Sequence, residues 1–195
     1  MTTTILKGTI VSAAAAGAPE ITEGGYLVAE DGVITGVFPT LPERYTGAPV
    51  EDFGSCLILQ TFADLHLHAP QYPMLGTGMD LTLLDWLNTY TFPAEARFAD
   101  PGYAREVYRK LAAELIAHGT TRVAMFSSLH TDATLILMEE LERAGVTGYV
   151  GKVNMDRNAA PGVLEETTEE SIRETERWLA ECGRFSHVRP MLTPR

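Results

Sequence analysis

From residue 57 onward, short apolar β-prone runs alternate with stretches of helical spacing. No other feature limits the fold of this chain as strongly. The runs lie at Leu57–His68, Thr120–Phe126, Val146–Met155 and Val188–Leu192. Between the first two, Leu81–Tyr90 reads as a short helix with Leu83, Leu84 and Leu87 on one face. A longer helix follows, capped by Asp100 with Pro101 in its first turn. Its apolar positions Ala104, Val107, Leu111, Leu115 and Ala117 fall near helical spacing, and Gly119 ends it. Asp132–Ala144 is the next helix. Thr167 with Glu170 forms a capping box for a last one, running to about Cys182. Strands and helices in this order predict βαβ units and a parallel sheet. About four βα steps make half of an eight-fold barrel, and the same steps also suit a small doubly wound sheet. No GxGxxG opens the first helix, so nothing supports dinucleotide binding.

Residues 1–58 read differently. Ile5–Val11 is a strand candidate. Tyr26–Ala29 and Val33–Phe38 flank Glu30-Asp31-Gly32, a strong hairpin signal because the turn needs positive φ. Pro39, Pro42, Gly47 and Pro49 then mark a loop. A sheet this small cannot bury both faces alone. The expected organisation is a small β region over 1–58 and an α/β region over 59–195.

Composition narrows the function classes. With 45% apolar and 21% charged residues the chain can fill a core. Twenty-six acidic residues against 15 basic give a net charge of −11, which argues against nucleic acid and anionic membranes as partners. No apolar run reaches the roughly 18 residues of a membrane span. Two cysteines, Cys56 and Cys182, are too few for a disulfide framework, and the default setting is the reducing cytoplasm. The run Thr9–Ala16 after Lys7 makes a poor signal-peptide core and is expected to be an N-terminal strand.

The sharpest chemical feature is Asp64-Leu65-His66-Leu67-His68. Side chains two apart on a strand share a face, so His66 and His68 present paired imidazoles suited to one metal ion. The pair sits at the C-terminal end of the first strand of a βα series, where parallel barrels keep their active sites. A catalytic zinc usually has three protein ligands plus water. Of the other histidines, His118 suits the C-terminal turn of its helix. His130 follows the second strand and either touches substrate or helps cap the next helix. His187 begins the last strand, at the end away from the site. None of the five histidines has a Glu three residues later, so the chain contains no His-x-x-Glu base. The acidic stretch Glu165–Glu181 reads as a solvated helix face, and Trp86 as core or pocket wall.

The Asp-x-His-x-His pattern after an apolar strand, behind a small β region, resembles the amidohydrolase superfamily. The longer text is more specific. His66-Leu67-His68-Ala69-Pro70-Gln71-Tyr72, Gly78-Met79-Asp80-Leu81, Trp86-Leu87 and Tyr90-Thr91-Phe92-Pro93-Ala94-Glu95 are followed in order by Gly119-Thr120-Thr121 and Leu129-His130-Thr131-Asp132. Next come Val150-Gly151-Lys152-Val153-Asn154-Met155-Asp156, Glu166-Thr167-Thr168-Glu169-Glu170-Ser171 and Thr193-Pro194-Arg195. This ordered set resembles the guanine deaminase family from about residue 24 to the end.

The resemblance implies a zinc hydrolase, with iron as the alternative metal, that converts guanine and water to xanthine and ammonia. It implies a (β/α)8 barrel with a β-sandwich built from both chain ends, and a homodimer. His66 and His68 match the first two metal ligands, Gln71 a purine-binding glutamine, and Arg195 a purine-binding arginine. Trp86 and His130 are further candidates for the substrate pocket. Two departures stand out. Gln60-Thr61 occupy the place of the family's Pro-Gly. The third His with its His-x-x-Glu base, a fourth His and an Asp would all lie beyond Arg195. The 195 residues alone are therefore expected to be inactive. The competing readings are another nucleobase deaminase, a chlorohydrolase, or a truncated fragment that only binds metal.

Overall fold

A computed structural model describes residues 2–13 and 17–194. It divides into two compact units, Met1–Gln60 and Thr61–Arg195.

The first unit holds a four-stranded mixed sheet in the order β3-β2-β1-β4. Strand β1 (Thr3–Ala13) pairs antiparallel with β2 (Pro19–Glu30) and parallel with β4 (Glu51–Leu59), and β2 pairs antiparallel with β3 (Val33–Phe38). The hairpin at Asp31-Gly32 forms as the sequence predicts. Both residues have positive φ, 49° and 81°, which the primed two-residue turn demands and Gly32 supplies without strain. One face buries Ile5 and Val28 with Tyr45, which the intervening loop supplies.

The expected single strand Leu57–His68 is two strands. Strand β4 ends at Leu59, and β5 (Phe62–His68) opens the second unit. The hydrogen-bond ladders give the reason. Leu57–Leu59 pair with Thr9–Val11, whereas Phe62 onward pairs with residues from Thr120. An apolar run does not reveal a change of partner at Gln60-Thr61.

The second unit is an α/β layer. Its parallel sheet runs β5-β6-β7-β9, with β6 at Thr120–Phe126, β7 at Thr147–Gly151 and β9 at Val188–Pro190. Four successive parallel strands with helical crossovers are a partial barrel-type fold. A short α1 (Leu83–Trp86) and α2 (Phe92–Ala96) precede α3 (Pro101–Ala117) between β5 and β6. Helices α4 (Thr131–Ala144) and α5 (Thr168–Glu181) follow β6 and β7. Asp100 caps α3 by accepting from the Gly102 amide at 2.8 Å, and Thr167 caps α5 by accepting from the Glu170 amide at 3.0 Å. The core between helices and sheet contains Tyr108, Leu111, Val123, Met125, Met138, Leu141, Val150 and Trp178. No helix among the described residues is long and apolar enough to cross a membrane.

Three further expectations change. The strand Val146–Met155 is broken at Lys152, whose side chain turns inward. Strand β8 (Val153–Asn154) pairs instead with β10 (Thr193–Pro194). The last strand accordingly ends at Pro190. The expected helix Leu81–Tyr90 starts at Leu83 and passes through a π-type turn, Leu87–Thr91, into α2. Pro93 cannot donate the next amide, and a wide turn accommodates that loss. Leu83 and Leu84 are exposed rather than packed, and only Leu87 joins a buried cluster.

Candidate active site

Two imidazoles meet at the C-terminal end of β5. The register slips between Asp64, opposite Val123, and Leu67, opposite Met125. This bulge puts one extra residue on β5, and the Asp64 carboxylate accepts the His66 amide at 3.1 Å. Bulges re-aim side chains next to functional sites. The rings of His66 and His68 lie 5.2 Å apart at 67°. Both rest on Phe126 at the end of β6, with His68 stacked at 4.5 Å and His66 edge-on at 5.6 Å. His66 is exposed and His68 half-buried. A pair of adjacent imidazoles, one open to solvent, is a donor set that could give a borderline-soft divalent metal two ligands. Among the described residues no group of three His, Cys, Asp or Glu is placed to hold a metal.

Gln71 lies on the 3-10 turns Ala69–Met74 that follow β5 directly. Its amide Nε2 donates to Glu95 Oε1 at 3.3 Å. Glu95 is only 2% exposed. Behind it, Tyr108 is fully buried, its hydroxyl 3.3 Å from Ser127 Oγ. Burial above all pushes that phenol well above its ordinary value, and the Glu95 charge adds to the effect. Sequence reasoning assigned Glu95 no role. A lone Glu in a short helix carries no spacing signal, and only its burial marks it.

Trp86 is half-buried, and its indole N–H donates to the Thr77 carbonyl at 2.9 Å. Gly78, at φ +67°, lies so close that a Cβ there would sit 2.6 Å from the Tyr90 ring and 3.1 Å from Trp86. Trp86 thus clamps its own loop.

His130 precedes α4, but its side chain does not cap the helix. Its backbone carbonyl accepts from the Thr134 amide and hydroxyl instead. The ring Nε2 is buried without a hydrogen-bond partner among the described residues. Burial first, then the charge of Lys152, holds His130 below the usual histidine range, with Glu165 opposing. His130 borders a cavity of about 320 Å³ shared with Asp132, Glu165, Glu170, Glu174 and Arg177. Glu165 corrects the expectation of a solvated face at its first residue. It is 7% exposed and takes Lys152 Nζ at 2.6 Å and the Met155 amide at 2.8 Å.

The remaining histidines behave as expected. His118 Nδ1 lies 2.9 Å from the Glu114 carbonyl at the end of α3, and the His187 amide donates to the Glu142 carboxylate. The structure therefore brings His66 and His68 together, ties Gln71 to Glu95, and puts Trp86 and His130 in separate surroundings. Arg195 lies outside the described residues.

Comparison with known proteins gives a consistent result. Residues 57–194 match the amidohydrolase family. Guanine deaminase from Rattus norvegicus is 47% identical over 134 residues, 68% of this chain and 30% of that protein. The crystal structure of guanine deaminase from C. acetobutylicum, with guanine bound in its active site, superposes with a TM-score of 0.91 at 42% identity. That match covers 100% of this chain and 46% of the other. An adenosine deaminase from Xanthomonas campestris with bound zinc shares the fold at a TM-score of 0.74 and 21% identity, over 97% of this chain and 42% of that one. The chain thus spans about a third of the length of the curated relatives it matches. With the family match running over residues 57–194 and the paired histidines at the end of the first strand of the α/β unit, this chain belongs to the amidohydrolase family.

Proposed function

We propose that these residues form the first part of a guanine deaminase, a metal-dependent aminohydrolase that takes guanine and water to xanthine and ammonia. The observation that carries this reading is the similarity, along the whole chain, to a solved guanine deaminase with guanine in its active site. In this reading the second unit, Thr61–Arg195, is the first half of a (β/α)8 barrel, and the first unit, Met1–Gln60, is one layer of a β-sandwich.

His66 and His68 would hold the metal, for which two imidazoles favour zinc and also suit iron. When bound, such an ion supplies Lewis acidity and lowers the pKa of a water molecule to about 7. Gln71 follows the ligand strand directly and binds a purine edge, since its amide both donates and accepts. Arg195, which only donates, suits the guanine carbonyl and the charge that develops there. Trp86, held against the Thr77–Gly78 loop, walls the pocket. His130, in its own cavity, would offer the substrate a buried ring Nε2. Expulsion of ammonia needs a proton carrier. No His-x-x-Glu pair exists in these 195 residues, so by themselves they do not turn over guanine. The thiols of Cys56 and Cys182 are unpaired, which supports a cytoplasmic setting, and the working assembly is a homodimer.

The test is a substrate panel on the complete, metal-loaded polypeptide alongside the 195-residue chain. Guanine should be turned over by the former in preference to adenine, cytosine and chlorotriazines, with no xanthine from the latter. A preference for another substrate, or xanthine release by the 195 residues alone, overturns the reading.

A further inference from the structure

We propose that Glu95 is a positioning residue that fixes the amide of Gln71 and so sets the order of donor and acceptor offered to the purine. This rests on the purine-binding reading of Gln71 and adds the residue that makes its contact directional.

The local fold puts Glu95 where a carboxylate is costly. The π-type turn Leu87–Thr91 inserts extra backbone ahead of α2 and rotates the following turn. Phe92 and Glu95 are then turned inward, at 7% and 2% exposure, while Pro93 stays outside. A buried carboxylate persists only when hydrogen-bonded. One bond that satisfies it comes from Gln71 Nε2, 24 residues earlier in the chain.

The chemistry of that bond is one-sided. An ionised carboxylate only accepts, so the amide atom facing it must be the nitrogen. With one N–H of Gln71 directed at Glu95, its second N–H and its carbonyl oxygen remain in a fixed order. A free glutamine can rotate its amide by half a turn and exchange donor for acceptor, but one tied to a buried acceptor cannot. A purine edge with a matching order of acceptor and donor then binds without the cost of ordering the amide.

The variants are Glu95→Met, which keeps volume and removes the acceptor, and Glu95→Gln, which keeps an acceptor but can also present an NH2. Each is made alone and with Gln71→Ala in the complete, metal-loaded polypeptide. Guanine KM and kcat are measured, with guanine Kd determined by calorimetry in the metal-free form. E95M should raise KM and Kd about tenfold, the value of one well-placed hydrogen bond, with kcat within about twofold. E95Q should fall between wild type and E95M. In the Q71A background both substitutions should change KM by less than about twofold, because their effect passes through Gln71. An equal effect with and without Gln71, or a loss confined to kcat, overturns the positioning role. If E95M does not fold, E95Q alone decides by the same cycle. Unchanged guanine KM and Kd in Q71A would instead sink the purine-binding reading itself.

Discussion

The C-terminal ends of β5 and β7 both carry polar side chains and use them in opposite ways. After β7, Lys152 and Glu165 meet at 2.6 Å with side chains 0% and 5% exposed. Glu165 also takes the Met155 amide, and Lys152 reaches the Val153 carbonyl. This pair is occupied by protein and closes the loop that follows. After β5, His66 is exposed and stands beside His68 on the face of Phe126. Its ring remains available to a ligand. Polarity at a strand end therefore does not identify a site in a parallel α/β fold; accounting for partners and exposure does.

The largest effects should come from separating the two ends by mutation. His66→Ala should remove the bound metal and all guanine turnover from the complete polypeptide. Unfolding of the metal-free form should shift by less than about 1 kcal/mol, as for an exposed side chain. Lys152→Met should do the reverse. It leaves Glu165 buried without its cation, and should lower stability in urea unfolding by about 3–5 kcal/mol while metal binding persists. A metal loss in K152M matching that in H66A would erase the distinction between the two ends.

A smaller effect sharpens the same comparison through His130. Burial and the Lys152 charge favour its neutral form in the fold, below the ordinary value of 6.5. As pH falls below about 6.5, the unfolded chain takes up that proton first. The contribution is complete above that pH and is lost as pH drops through the folded value. His130→Asn should flatten the decline of Tm as pH falls below about 6.5. An unchanged slope would show that the ring is not held neutral.

Much of the α/β order was legible because amphipathic periodicity and caps are local signals. Asp100 and Thr167 cap the helices they were expected to cap. The pairing of His66 with His68 follows from strand alternation and survives the bulge beside it. Three features were not legible, two because they depend on partners distant in sequence and one because a proline does not say how the backbone before it will adjust. The apolar run through Leu57–His68 changes sheets at Gln60-Thr61, since ladder partners rather than hydrophobicity decide where a strand belongs. The helix near Trp86 widens into a π-type turn ahead of Pro93. Glu165 and Glu95 look like ordinary surface acids until burial and their partners, Lys152 and Gln71, are seen.

If His66 and His68 together hold the metal of a guanine-processing site, crystallography of the zinc-loaded complete polypeptide, with anomalous scattering at the zinc edge, should show one zinc with a nitrogen of each of these two imidazoles at about 2.0–2.1 Å. Zinc bound elsewhere, or bound with either ring turned away, would contradict it.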